Sequence, residues 1–215
     1  AEQVINSKKA LPNKDKHHKP KKVKTNVIYT IKIPKNGLKC PTFKFYRNDQ
    51  HLFTAKQKDN DIFFAEGSEV HVSQKETHIA HIFQNLMMNT IFLKSTRFFM
   101  KYVKTENPHH YSIETSIPLI DEMILITPRK PKYDPKKDKY TVSYRGQYNH
   151  KPIPSIKNIL LEDKEGKTVF ITRKMDENLF EVECLPTIEP LVAFCLGVSD
   201  IVGPYCDPEQ DNFLV

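Results

Sequence analysis

Cysteine, histidine and lysine are the residue types here that could carry chemistry, and their spacing limits which chemistry. The four cysteines are Cys40, Cys184, Cys195 and Cys206. No two form a C-x-x-C pair, so the closely paired thiolates of a zinc site are missing. Cys195 lies in a strongly apolar stretch, and the pattern predicts reduced, mostly packed thiols in an intracellular protein. The lack of an Asn-x-Ser/Thr sequon agrees with that compartment. The pairs His17-His18 and His109-His110 are adjacent in sequence, and neighbours do not face one site on a regular element, so they read as loop histidines. The six glycines are scattered, with no phosphate-cradling loop, no G-x-S-x-G elbow, no H-E-x-x-H and no D-x-D-x-D-G calcium loop. The expectation is a protein that is not an enzyme and carries no metal or cofactor.

The lysines are unevenly placed. Residues 1–26 hold eight Lys against two acids, whereas residues 27–215 hold 25 basic and 24 acidic residues, so a nearly neutral body follows a basic tail. The tail is poor in apolar residues and contains two prolines, which predicts disorder. Its cluster Lys19, Lys21, Lys22 and Lys24 would attract an anionic membrane by roughly 1 kcal/mol per charge, and nucleic acid equally well. The run Lys21-Lys22-Val23-Lys24 also matches a nuclear import signal, and a merely solubilising tail remains the alternative.

At 215 residues, and with about 150 per domain, the chain allows one large domain, or one domain plus a tail, and is long enough to bury a core without staples. No apolar run reaches the roughly 18–20 residues of a membrane-spanning helix, and no charged n-region with an apolar h-region opens the chain. The body is predicted to consist of short strands at 27–33, 42–48, 51–58, 61–65, 68–73, 90–95, 97–104, 110–116, 121–127, 139–145, 155–162, 167–173 and 178–184. In the first, Val27, Tyr29, Ile31 and Ile33 share one face. About a dozen strands at this spacing point to a sandwich or a closed barrel.

Two segments break the period of two. In 77–88, Ile79, Ile82, Phe83, Leu86 and Met87 fall at helical spacing behind Thr77 as N-cap, which predicts an amphipathic helix. The segment 188–202 is apolar on nearly every side, which predicts a helix buried on every side. About a dozen strands plus this helix suggest a mainly β fold, a barrel closed around a helix.

At this helix the chain resembles a known family. Ala193-Phe194-Cys195-Leu196-Gly197-Val198-Ser199 resembles the C-terminal A-F-x-I-x-L-S-S-F signature of the tubby family. Tyr144-Arg145-Gly146-Gln147 and Ser155-Ile156-Lys157-Asn158-Ile159-Leu160-Leu161 are similar to its F-x-G-R … S-V-K-N-F-x-L pattern. Leu52-Phe53-Thr54-Ala55-Lys56-Gln57-Lys58, His78 to Phe92, and Ile113-Glu114-Thr115-Ser116 resemble further family segments in the same order. The resemblance covers roughly 26–206, and implies a tubby-like domain at 27–206, between the tail of 1–26 and a C-terminal extension at 207–215. It implies a closed antiparallel barrel of about twelve strands around a central hydrophobic C-terminal helix, in keeping with the strand count, and a shape shared with the phospholipid scramblase group.

The resemblance also implies that phosphatidylinositol bisphosphate, or another anionic lipid, binds at Lys56 and Lys58. Positions i and i+2 of a strand point the same way, so both ammonium groups can meet one bisphosphate. His81 sits where the family carries a Lys and contributes only when protonated. Arg47 and Lys157 are rim candidates, while Glu114 and Asn158 read as buried groups bonded to backbone. Two departures oppose an anion: the basic run is short, and Asp59 and Asp61 follow it.

The function implied is a non-enzymatic phosphoinositide-binding adaptor in membrane-protein, including ciliary, trafficking. It would be cytoplasmic, peripheral at the plasma or ciliary membrane, monomeric, and partnered by trafficking or receptor proteins. The alternatives are a nuclear, nucleic-acid-associated regulator using the basic tail, and a protein-binding scaffold without lipid. Nucleic acid is disfavoured because the body lacks net charge and clustered aromatic-basic strands.

Overall fold

The computed structural model describes residues 26–35, 41–67, 78–85, 87–104, 111–119, 122–136, 138–147 and 150–203. Lys19, Lys21, Lys22 and Lys24, the strand expected at 68–73, Thr77, Cys40, Cys206 and the 207–215 extension lie outside them.

Twelve strands close into an antiparallel barrel. They are β1 (Val27–Lys32), β2 (Thr42–Arg47), β3 (Gln50–Lys58), β4 (Asp61–Glu66), β5 (Ala80–Asn85), β6 (Met88–Leu93), β7 (Arg97–Lys104), β8 (Tyr111–Pro118), β9 (Met123–Pro128), β12 (Ile159–Glu162), β13 (Thr168–Asp176) and β14 (Leu179–Cys184). The ring runs β1-β14-β13-β12-β9-β8-β7-β6-β5-β4-β3-β2, so nearly every strand pairs with its sequence neighbour and β1 against β14 closes it. Between β9 and β12 a separate hairpin forms from β10 (Lys132–Asp134) and β11 (Lys139–Thr141). The strand expected at 139–145 is thus shorter and lies off the barrel.

Helix α1 (Pro190–Val202) has Pro at its first turn, where a missing N–H costs nothing. Val192 to Ile201 are all buried. Their neighbours come from around the ring. Phe194 stacks on Phe45 of β2 at 4.6 Å and meets Phe64 of β4 edge-on at 5.1 Å. A Cβ on Gly197 would stand 2.7 Å from Ile31 Cδ1 of β1 and 3.1 Å from Val182 Cγ2 of β14, so a larger residue there would have to displace these side chains, and glycine lets the helix lie close to both strands. On another side the Tyr102 hydroxyl of β7 donates to the Ser199 carbonyl at 2.8 Å. The helix therefore occupies the barrel interior, as its all-round apolarity requires.

Its C-terminal carbonyls, which a helix cannot satisfy itself, are met by side chains. Lys157 Nζ donates to the Ile201 carbonyl at 2.6 Å and Gln84 Nε2 to the Gly203 carbonyl at 3.1 Å. Lys157 is thus no rim cation: it is half-buried, and its charge favours a helix C-terminus. Asn158 does bond backbone, donating to the Ile153 carbonyl and accepting from Lys174 N. Glu114 corrects its expectation too, since it points outward from β8 opposite Lys101 and is exposed.

The helix expected over 77–88 is instead β5, a turn at Met87, and the start of β6. Ala80, Ile82 and Gln84 face inward and His81, Phe83 and Asn85 outward. Both of β5's edges are paired, to β4 and β6. An apolar outward Phe83 and a polar inward Gln84 gave the stretch a helical period although it alternates. The barrel is closed only if this segment is a strand, and that overrides local periodicity.

Outside the barrel wall a buried ion cluster is roofed by a loop. Arg173 of β13 is fully buried, with Nε 2.9 Å from Glu181 Oε1 and Nη2 2.6 Å from Glu183 Oε2, while Nη1 donates to the Tyr144 carbonyl at 2.9 Å. Gly146, at φ 60°, passes so close that a Cβ would sit 1.9 Å from Glu183 Oε2 and 2.2 Å from Arg173 Nη1. Gly146→Ala is expected to displace a partner of the buried guanidinium and cost about 3–5 kcal/mol, read from urea unfolding.

Cys184 and Cys195 are unbridged and buried, and burial pushes the Cys184 thiol up to about 12 and the Cys195 thiol higher still. Burial likewise holds the Asp200 carboxyl well above its ordinary value, offset only in part by the Lys157 ammonium. Above about pH 4 the unfolded chain releases this proton while the folded chain keeps it, so this group's contribution to stability falls as pH rises. The stability difference between the wild type and Asp200→Asn is expected to move in the variant's favour from about pH 4 upward. Urea midpoints across that range check it.

Candidate functional site

The strands β3 to β7 present their outward positions as one surface, because each alternates and all are paired in register. On β3, Thr54 and Ala55 are buried, and Lys56 and Lys58 project outward on either side of Gln57. They are about 7 Å apart along the strand. Gln57 points the other way, and its Nε2 donates to Gln84 Oε1 at 2.9 Å. Gln84 in turn holds the Gly203 carbonyl beyond the end of α1. The spacing of the two lysines is thus anchored to the interior helix through one amide chain.

Registered pairing runs from Lys56 to Phe63 on β4, His81 on β5, Phe92 on β6 and Arg97 on β7. The neighbouring row runs from Lys58 through Asp61, Phe83 and Thr90 to Phe99. The rings stack along the first row: Phe63 on His81 at 4.9 Å and 6°, and His81 on Phe92 at 5.7 Å. His81 Nε2 lies 2.6 Å from Asp61 Oδ1, so the carboxylate that follows the lysines is engaged by the imidazole beside it. A shallow cavity of about 370 Å³ opens here, lined by Asp61, Phe63, His78 and His81.

The structure therefore brings Lys56, Lys58 and His81 to one surface. It does not bring Arg47, which ends β2 opposite Gln50, whereas Lys56 pairs with Thr42 at that strand's start. Five residues of strand, about 17 Å, separate the two ends. Sequence reasoning misses the aromatic component of this surface. It places Phe83 on the apolar face of a helix and gives Phe92 and Phe99 no role, yet all three point outward, because Ile82, Ile91 and Phe98 fill the inward positions beside them. The available signal is the phase of β7, where Arg97, Phe99 and Lys101 alternate with Phe98 and Met100.

A second, larger cavity of about 810 Å³ lies between the β10–β11 hairpin and the β12–β13 turn. Its cations Arg129, Lys130, Lys132 and Lys164 are mixed with Glu162 and Asp163. Arg129 is already committed, with Nε 2.9 Å from Glu162 Oε2 and Nη2 2.7 Å from Thr168 Oγ1. Among the described residues no three His, Cys, Asp or Glu cluster to hold a metal, and no helix is long and apolar enough to cross a membrane.

No model of a known protein family matches the chain, and no curated protein matches its sequence.

Gln57→Leu is expected to leave the buried Gln84 oxygen without this donor and to cost about 1–3 kcal/mol. Urea unfolding of the variant against the wild type measures it.

Proposed function

We propose that this chain is a non-enzymatic membrane-docking domain whose Lys56 and Lys58 bind the headgroup of phosphatidylinositol bisphosphate or another anionic lipid. The observation that carries the reading is the outward pair of ammonium groups on β3, held apart by the inward-turned Gln57. Two point charges on one face suit two phosphates of one headgroup. The engagement of Asp61 by His81 draws one of the two opposing carboxylates toward β5 rather than leaving it to compete for Lys58.

The closed barrel around an apolar helix has the architecture that the resemblance to the tubby family implies, which supports membership of that family. An adaptor role, peripheral at the plasma or ciliary membrane with trafficking or receptor proteins as cargo, follows from that resemblance alone. The basic tail would add nonspecific attraction to the same surface.

Co-sedimentation with vesicles at physiological salt tests the reading. The intact chain is expected to prefer phosphatidylserine vesicles carrying the bisphosphate over phosphatidylserine alone. Lys56→Ala/Lys58→Ala is expected to lose roughly 30-fold in that preference, at about 1 kcal/mol per lysine. If the intact chain follows total anionic charge and ignores the bisphosphate, Lys56 and Lys58 are not a headgroup site.

A further inference from the structure

The outward positions of β5, β6 and β7 carry more exposed aromatic surface than a water-facing barrel wall needs. Phe83, Phe92 and Phe99 are 42%, 39% and 40% exposed. They surround Thr90: Phe83 and Phe99 pair with it from the two sides, and Phe92 is two residues along its own strand. They cannot exchange with the core, because Ile82, Ile91 and Phe98 already occupy the inward positions beside them. The strand register holds all three rings on one side of the molecule.

The charges around the rings have one dominant sign. Lys56 and Lys58 lie on the β3 side, and Arg97 and Lys101 on the β7 side. The Arg97 guanidinium stands 5.9 Å from the Phe99 ring centre, keeping cation and ring together. Among the described residues, Asp61 is the one carboxylate on the outward strand positions of β3 to β7, and His81 engages it at 2.6 Å, while the exposed Asp59 sits in the β3–β4 turn beside Lys58. Beyond them, Glu114 of β8 stands opposite Lys101 and marks the margin of the face. Exposed rings between two rows of cations match the polarity profile of an anionic bilayer: an apolar interior under a negatively charged surface. A protein partner would need acidic groups at both margins of an apolar patch, whereas lipid headgroups supply negative charge on every side.

We propose that this face inserts into the interfacial layer of an anionic membrane, with Phe83, Phe92 and Phe99 entering at headgroup depth and Lys56, Lys58, Arg97 and Lys101 on the surrounding lipid phosphates. The proposal rests on the membrane-docking reading and adds an orientation: β5 to β7 face the bilayer and β13, β14 and β1 face away.

The chain has no tryptophan, so a single introduced indole reports without background. Phe99→Trp in the full chain is mixed with phosphatidylcholine vesicles with or without phosphatidylserine, some carrying brominated acyl chains. The expected result is a blue shift and bromine quenching with the anionic vesicles only. Ile156→Trp is the control, because Ile156 is 71% exposed and precedes β12, which stands four strands around the ring from β6 and off the proposed face. It is expected to show neither effect. Phe83→Ser/Phe99→Ser is expected to lower partition into anionic vesicles at least about tenfold, with an unchanged thermal midpoint.

Binding to anionic vesicles without quenching of the indole at position 99 overturns the proposal. So does loss, in Phe83→Ser/Phe99→Ser, of a concentration-dependent self-association with vesicle binding unchanged, which would make a second copy the occupant. Quenching that survives in Lys56→Ala/Lys58→Ala while the bisphosphate preference was never present supports insertion and removes only the headgroup site. Absence of binding to any vesicle removes both.

Discussion

A helix with apolar residues on every side is stable in water only if something covers every side, and α1 imposes that demand on the remainder of this chain. Covering it takes a closed wall, since an open sheet would leave part of the helix wet. The inward positions of the strands supply that cover, with Phe45 and Phe64 against Phe194, and Ile31 and Val182 against Gly197. The helix end must also be satisfied in a dry interior, and the wall supplies Gln84, Tyr102 and Lys157 to its last carbonyls. Core packing and polar satisfaction thus converge on one element.

The outer surface follows from the same demand. A strand alternates, so whatever fills the interior determines the phase of what faces out. Ala55 and Gln57 turn inward, and Lys56 and Lys58 are thereby placed outward together. Ile82, Ile91 and Phe98 turn inward, and Phe83, Phe92 and Phe99 are thereby exposed. A slip of one residue at any of these pairings would bury a charge or a polar group and expose a core side chain. The lysine pair and the aromatic patch are consequently as well positioned as the core itself, although neither contributes much to it.

The buried ions depend on a similarly close approach. Arg173 sits under the loop at 144–147 with two glutamates, and that loop can lie so low only because Gly146 has no side chain. The cluster joins β13 and β14 to the loop that follows β11. Asp200 has a different environment. It is enclosed with α1, and protonation is its least unfavourable response to burial.

Much of the architecture was legible in the sequence because it depends on local pattern. Alternation marks β1 to β4, and the apolar girth of 188–202 marks the interior helix and therefore the need for a closed wall. Lys56 and Lys58 on one face follow from spacing alone. What sequence periodicity could not decide was the segment 77–88, where an outward Phe83 and an inward Gln84 make alternation look helical. Pairing with β4 and β6 decided it, and those partners lie far off along the chain or across a turn. The same holds for Lys157 and Glu114: the C-terminal helix made one a cap, and the pairing of β8 with β7 left the other facing solvent. Composition and spacing determined which faces had to be buried; only the tertiary register decided what the opposite faces would assemble, because a single strand such as β7 shows its own alternation but not which outward residues of the other four strands will lie beside it.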